Sequence, residues 1–179
     1  TIHAALPRSG AIARRGAGER AEEQVIAANI DTVLIVSGLD HDHNLRRLER
    51  YLTLAWSSGA QPVVVLNKAD ACPEAGARAT EVEALAPGVP VLAMSARTGE
   101  GIDALAGVLS PGRTAVLVGS SGVGKSSIVN RLMGEELAET REVREDDSRG
   151  RHTTTRRELL FLPGGAMIAS GRYYGDQAT

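Results

Sequence analysis

The sequence predicts an α/β fold, a mainly parallel sheet with helices on both faces, and two observations carry that expectation. Short apolar, β-branched runs alternate with helical patterns along the chain, the signature of βαβ units. The residues with chemical potential fall in loops that follow strands, and parallel crossovers collect such loops at one sheet edge. In order, strands are expected at 32–36, 62–66, 89–94 and 113–118 because Val, Ile and Leu run there without polar interruption. Helices near 44–56, 74–85 and 102–109 separate them, and 126–133 reads as another. Residues 159–162 and 166–168 are joined by Pro163, Gly164 and Gly165 and read as a hairpin at the sheet's end. No internal repeat or low-complexity tract is present.

The loop between the strand at 113–118 and the helix at 126–133 reads Gly119, Ser120, Ser121, Gly122, Val123, Gly124, Lys125, Ser126, Ser127. This is a phosphate-binding P-loop pattern. Its glycines let backbone N–H groups face phosphate oxygens without a Cβ in the way, and the helix N-terminus adds partial positive charge. Lys125 is placed to reach β and γ phosphates, and Ser126 has the hydroxyl position that ligates Mg2+ in such loops. A glycine-rich turn that binds nothing would not need the strand, Lys-Ser pair and helix together.

Earlier in the chain Asn67, Lys68, Ala69 and Asp70 follow the strand at 62–66. A carboxylate at Asp70 can accept from the N1–H and N2–H2 edge of guanine, whereas adenine offers an acceptor at N1 and no amino group at C2, so ATP would leave that carboxylate unpaired. Alone these four residues are weak evidence, because Asn, Lys and Asp are ordinary loop residues. Ser95 and Ala96, delivered to the same edge by the strand at 89–94, form a third element. A Ser-Ala pair at this place in G proteins closes over the base through backbone N–H. The base reader precedes the phosphate cradle, which inverts the common G-protein order, so the chain resembles a circularly permuted G domain of the P-loop NTPase class.

Further runs narrow the resemblance: residues 29–33, 37–40 and 44–51, and Gly150, Arg151, His152, Thr153, Thr154, Thr155. With the loops above they resemble the permuted RsgA (YjeQ) GTPases of small-ribosomal-subunit biogenesis across residues 22–165, and the run at 150–155 is the most specific signature. The resemblance implies hydrolysis of GTP to GDP and phosphate with Mg2+, in a checkpoint or release timer for late small-subunit assembly. The implied partners are that subunit and its rRNA, with the protein monomeric and cytoplasmic. It implies Thr154 as the switch threonine meeting Mg2+ and the γ phosphate, with Thr153 and Thr155 as rivals, and His152 as a contributor to hydrolysis. A histidine in a loop is otherwise a solvated or RNA-facing side chain. Residues 135–149 are charged and carry few apolar anchors to offset their ordering entropy.

The family has an OB-type barrel before the GTPase domain and a zinc-binding domain after it. Residues 1–21 are therefore expected to be a barrel remnant and linker, and 22–168 the permuted GTPase domain. The single cysteine, Cys72, cannot build a zinc site, so Zn2+ is expected only in that further domain. The family also carries an Asp-x-Pro-Gly element where this chain reads Ala166, Met167, Ile168, Ala169, Ser170, Gly171, Arg172. Either the protein is a diverged binder, or a stretch of switch is omitted before a C-terminal fragment at 169–179; the second is the expectation. Asp176 does not substitute for the lost aspartate.

Composition is consistent with one globular domain. The chain has 179 residues, and none of its apolar runs approaches membrane-spanning length. One cysteine suits a reducing compartment. A net charge of −2 is unlike strongly basic nucleic-acid binders. Local clusters keep RNA in view: Arg14, Arg15 and Arg20; Arg46, Arg47 and Arg50; and Arg149, Arg151, Arg156 and Arg157. Each is otherwise a solvated face. Asp40, His41, Asp42 and His43 have metal-ligand types without a spacing that fixes a metal, and read as the N-cap region of the next helix. Besides the hydrolase, a GTP/GDP-sensing RNA-binding module with negligible turnover remains as the alternative. A P-loop kinase or ATPase is disfavoured by Asn67 to Asp70.

Overall fold

The computed structural model describes residues 4, 7–15, 23–40, 42–134 and 158–170. The described elements run β1 (Ala11–Arg15), β2 (Glu23–Ala28), β3 (Thr32–Gly38), α1 (Leu45–Ser57), β4 (Gln61–Asn67), α2 (Ala75–Leu85), β5 (Val91–Ala93), α3 (Ile102–Gly107), β6 (Thr114–Val118), α4 (Lys125–Met133), β7 (Glu158–Phe161) and β8 (Met167–Ser170).

Six strands form one sheet in the order β5-β4-β3-β6-β8-β7, parallel except for β7, which pairs antiparallel with β8. Strand periodicity sorts the apolar residues of β3 and β4 to two faces. Val33, Ile35, Val64 and Leu66 pack with Leu48, Leu52 and Val82 from α1 and α2. Leu34, Val36, Val63 and Val65 pack with Leu105, Ile128 and Val129 from α3 and α4. Both faces are thus covered by helices, which is why these strands read as unbroken apolar runs.

Two expected elements are shorter in the structure. β5 is an edge strand bonded only to β4, and its regular pairing covers three residues. α3 ends at Gly107, after which Val108 and Leu109 donate to Leu105 and Ala106 in the tighter three-residue turn that precedes Pro111. β1 and β2 form an antiparallel ribbon, and Ile12 from it is buried against the α1 face of the core. β8 continues past Ile168, with Ala169 in register with Val116 of β6 and Leu159 of β7, so the apolar strand extends one step further than its sequence pattern suggested.

Asp31 closes the end of the sheet remote from the motif loops. Its carboxylate accepts from the Thr114 N–H at 2.8 Å and from Arg113 Nη1 at 2.6 Å, while its backbone joins Thr114 O and the Gln61 N–H. The Thr114 N–H, and then the Arg113 guanidinium, hold its pKa below the ordinary carboxylate value against partial desolvation. A lowered folded-state pKa means that the ionised group adds stability above the unfolded value, and that this is lost as pH falls through the folded one. Asp31→Asn should therefore flatten the acid limb: urea midpoints measured between about pH 6 and pH 3 should fall less in the variant than in the parent.

Candidate nucleotide site

The loops after β3, β4, β5 and β6 meet at one edge of the sheet, and Asn67 joins them. This last residue of β4 is 2 % exposed. Its Nδ2 donates to Val123 O in the P-loop at 2.8 Å, its Oδ1 accepts from the Ala96 N–H at 2.9 Å, and its backbone O accepts from the Leu39 N–H at 2.8 Å. The glycines of the P-loop follow from this closeness. A Cβ on Gly124, whose φ is +94°, would collide with the Asn67 amide nitrogen, and one on Gly119 would collide with the Val36 carbonyl oxygen.

α4 begins at Lys125, directly after Gly124, so the loop feeds a helix N-terminus as expected for anion binding. Ser120 and Ser121 precede Gly122 in the loop, while Ser126 and Ser127 are exposed on the first turn of α4. Lys125 Nζ donates to Gly119 O and Ser120 O, both at 2.7 Å, closing the cradle over its own carbonyls. Among the described residues no group of three His, Cys, Asp or Glu side chains converges on a metal position. The hydroxyl of Ser126, expected to ligate Mg2+, is a hard oxygen of the kind that ion takes, and Mg2+ commonly binds few protein oxygens beside waters and substrate phosphates.

Lys68 sits in the left-handed region at φ 69°, and its ammonium donates to Asp40 Oδ2 at 2.6 Å. Only 12 % of the Asp70 side chain is exposed. Its carboxylate is bonded by the Ser95 hydroxyl and by Arg97, and these hold its pKa low, as the Lys68 ammonium does for Asp40. Ser95 is fully buried, and its Oγ also accepts from the Thr98 N–H at 3.1 Å. The Ala96 N–H is the one taken by Asn67.

Of the loop with mixed metal-ligand types, Asp40 pairs with Lys68, Asp42 pairs with Arg47, and His43 Nε2 lies 3.5 Å from Glu81 Oε2. Asn44 is the N-cap of α1, accepting from the Arg47 N–H. His41, His152, Thr153, Thr154, Thr155 and Asp176 lie outside the described residues, so the expectations for them are not placed by the structure.

Three arginines make contacts at the site that the sequence does not mark. Arg47 donates to Asp42 and to Ser120 Oγ, tying α1 to the P-loop. Arg97 donates its Nε and Nη2 to Asp70 Oδ2, the former at 2.7 Å. Arg131 on α4 donates to Ala96 O at 2.9 Å and Arg97 O at 2.8 Å, fastening the base-side loop to the helix that starts with Lys125. A helix position six residues beyond a motif gives no sequence signal for such a contact.

Asn67→Ala should be destabilising beyond the loss of one exposed polar side chain. It leaves the buried Val123 O and Ala96 N–H without partners, at about 1–3 kcal/mol for each such group. Denaturant titration reads that loss, and guanine-nucleotide affinity should drop with it because the base-side loop and the cradle are no longer fastened together.

Comparison with known proteins agrees with this geometry. A family model described as RsgA GTPase matches residues 5–170. Proteins named small ribosomal subunit biogenesis GTPase RsgA are similar along most of the chain. That of Opitutus terrae is 53% identical over 167 residues, covering 93% of this chain and 46% of its own length. That of Xanthomonas euvesicatoria pv. vesicatoria is 54% identical over 168 residues, with the same coverage of 93% and 46%. The chain thus spans about half the length of the curated relatives it matches. Among solved structures, YjeQ from Thermotoga maritima superposes with a TM-score of 0.67 at 25% identity, covering 96% of this chain and 52% of that one. YloQ, described as a circularly permuted GTPase, shares the fold with a TM-score of 0.54 at 20% identity, covering 93% of this chain and 57% of that one. With the loop at Asn67–Asp70 ahead of the P-loop pattern in the chain and a family match along residues 5–170, the chain belongs to the RsgA GTPase family.

Proposed function

We propose that this chain is the GTP-hydrolysing domain of a protein that acts as a checkpoint or release timer in late assembly of the small ribosomal subunit. The observation that supports the enzymatic half is the Asn67 junction, which ties the P-loop at Val123 to the loop after β5 at Ala96. The relatives' name, small ribosomal subunit biogenesis GTPase, supports the assembly half.

In this reading Asp70 accepts from the guanine edge, Lys68 and the Ser95-Ala96 loop flank the base, and the backbone of Gly122, Val123 and Gly124 faces the phosphates. Water attacks the γ phosphorus, the bond to the β–γ bridging oxygen breaks, and GDP leaves with the charge of that oxygen. Lys125 and the loop amides stabilise charge on the transferring group through preorganised dipoles in place of solvent. Lys125 is already held in the cradle, so its switch from the Gly119 and Ser120 carbonyls to phosphate needs only a short movement. Ser126 would hold Mg2+, with Thr154 as the second protein oxygen; when bound, the ion neutralises charge on the β and γ oxygens. His152 is assigned to placing the attacking water. Zn2+ belongs, in this proposal, to a further domain that the relatives' greater length allows for.

Two measurements test the reading. Asp70→Asn should weaken GTP binding and gain xanthosine triphosphate, because an amide N–H2 pairs with the extra carbonyl of xanthine; equal affinity of the parent for ATP and GTP would refute the base-reader assignment. Purified small ribosomal subunits should raise kcat for GTP, because misplacement of positioning groups such as His152 and Thr154 can lower a rate about a hundredfold and an RNA surface can correct it. Phosphate release measured with and without subunits, at several salt concentrations, reads this. Equal stimulation by an unrelated RNA would remove the ribosome from the account.

A further inference from the structure

We propose that Arg97 is a built-in competitor of the guanine base: its guanidinium occupies the Asp70 carboxylate when the pocket is empty and must leave before the base can bind. The inference rests on the reading of Asp70 as the base reader. Arg97 presents Nε–H and Nη2–H on one planar carbon, and both donate to Asp70 Oδ2. Guanine presents N1–H and an amino N–H across one planar N–C–N unit as well. The two donor pairs are chemically alike, and a carboxylate that is only 12 % exposed offers them the same approach.

The surrounding contacts decide how the exchange proceeds. The backbone at Arg97 is pinned, since Arg131 Nη2 holds the Arg97 carbonyl, Arg131 Nε holds that of Ala96, and the Thr98 N–H is held by Ser95 Oγ. The Arg97 side chain is 77 % exposed, so it can swing into solvent without unpacking anything and without moving the loop. The Ser95 hydroxyl is a second partner of the Asp70 carboxylate. The empty pocket is thereby spared an unpaired carboxylate, and part of the affinity for guanine is spent on replacing an ion pair. Because one partner of that pair is well exposed, the effect is modest, about two- to fivefold in Kd. It is the same for GDP and GTP, since the competition is at the base and not at the phosphates.

The test is GDP and GTP titration of the chain by calorimetry, with GDP release followed by stopped flow. Arg97→Ala should tighten both nucleotides about two- to fivefold through faster association, with the GDP release rate unchanged because the competitor acts only before the base binds, and Arg97→Lys, which keeps the charge but loses the fork, should fall between parent and Ala variant. At about 1 M salt the difference between parent and Ala variant should shrink, because exposed ion pairs are screened. Unchanged or weaker binding by Arg97→Ala would overturn the inference, the latter placing Arg97 on the bound nucleotide. Asp70→Asn in the same assay separates the two levels. If it loses GDP while Arg97→Ala gains nothing, only the competitor role fails. If it binds GDP as the parent does, the base-reader assignment falls and the competitor role with it.

Discussion

The site depends on one buried amide. Asn67 is the last residue of β4, and its side chain can bond the P-loop and the base-side loop at once only because the parallel strands β4, β5 and β6 end at the same sheet edge. Both of its polar atoms are satisfied, and an amide so enclosed has to keep both bonds or leave buried groups unpaired. This constraint propagates outward. Gly124 must lack a Cβ because the amide passes it, Val123 presents its carbonyl to the amide while its side chain packs in the core, and Ala96 is held through its backbone N–H.

The site is a set of internal pairings. Lys125 is on P-loop carbonyls, Arg97 on Asp70, Lys68 on Asp40, and Arg47 between Asp42 and Ser120. Each places a cation against oxygens that nucleotide binding would either replace or leave in place. In the proposed reading the Lys125 and Arg97 pairings lie where phosphate and base would act, and nucleotide would exchange them. The Lys68 and Arg47 pairings bind the loop after β3 to the base reader and to the cradle. They give that loop, whose sequence carries the mixed Asp and His types, a role in holding the pocket's walls together.

Much of this was legible in the sequence because it rests on local patterns. Apolar runs marked β3, β4, β5 and β6, and Gly-Lys-Ser after a strand marked the cradle, since a strand-to-helix turn around phosphate tolerates few other residues. The β1–β2 ribbon was not legible as a pair: its strands are mixed in polarity, and only Ile12 among β1 residues with a described side chain is buried. The end of β8 was missed because Ala169 is small and Ser170 polar, so neither extends an apolar run, although backbone pairing with β6 and β7 does not need one. The arginine contacts were invisible for another reason. Arg47, Arg97 and Arg131 reach partners 73, 27 and 35 residues away in sequence, and an arginine that will bridge two loops looks the same in sequence as one that will face water.

Permutation leaves such a pocket intact because the pocket is made by strand direction and adjacency, not by chain order. β6 carries the cradle and lies next to β3, which lies next to β4, and all three run parallel. Any connection that keeps those three strands parallel and neighbouring returns the same loops to the same edge. The burden falls on the opposite edge, where connections enter the strands. There Asp31 bonds the start of β6 and the start of β4 together through Thr114, Arg113 and Gln61. Fixing the strand starts at one edge and the Asn67 amide at the other defines the register between them, and it is that register, set from both ends, that holds the Asp70 and Lys125 loops in one pocket.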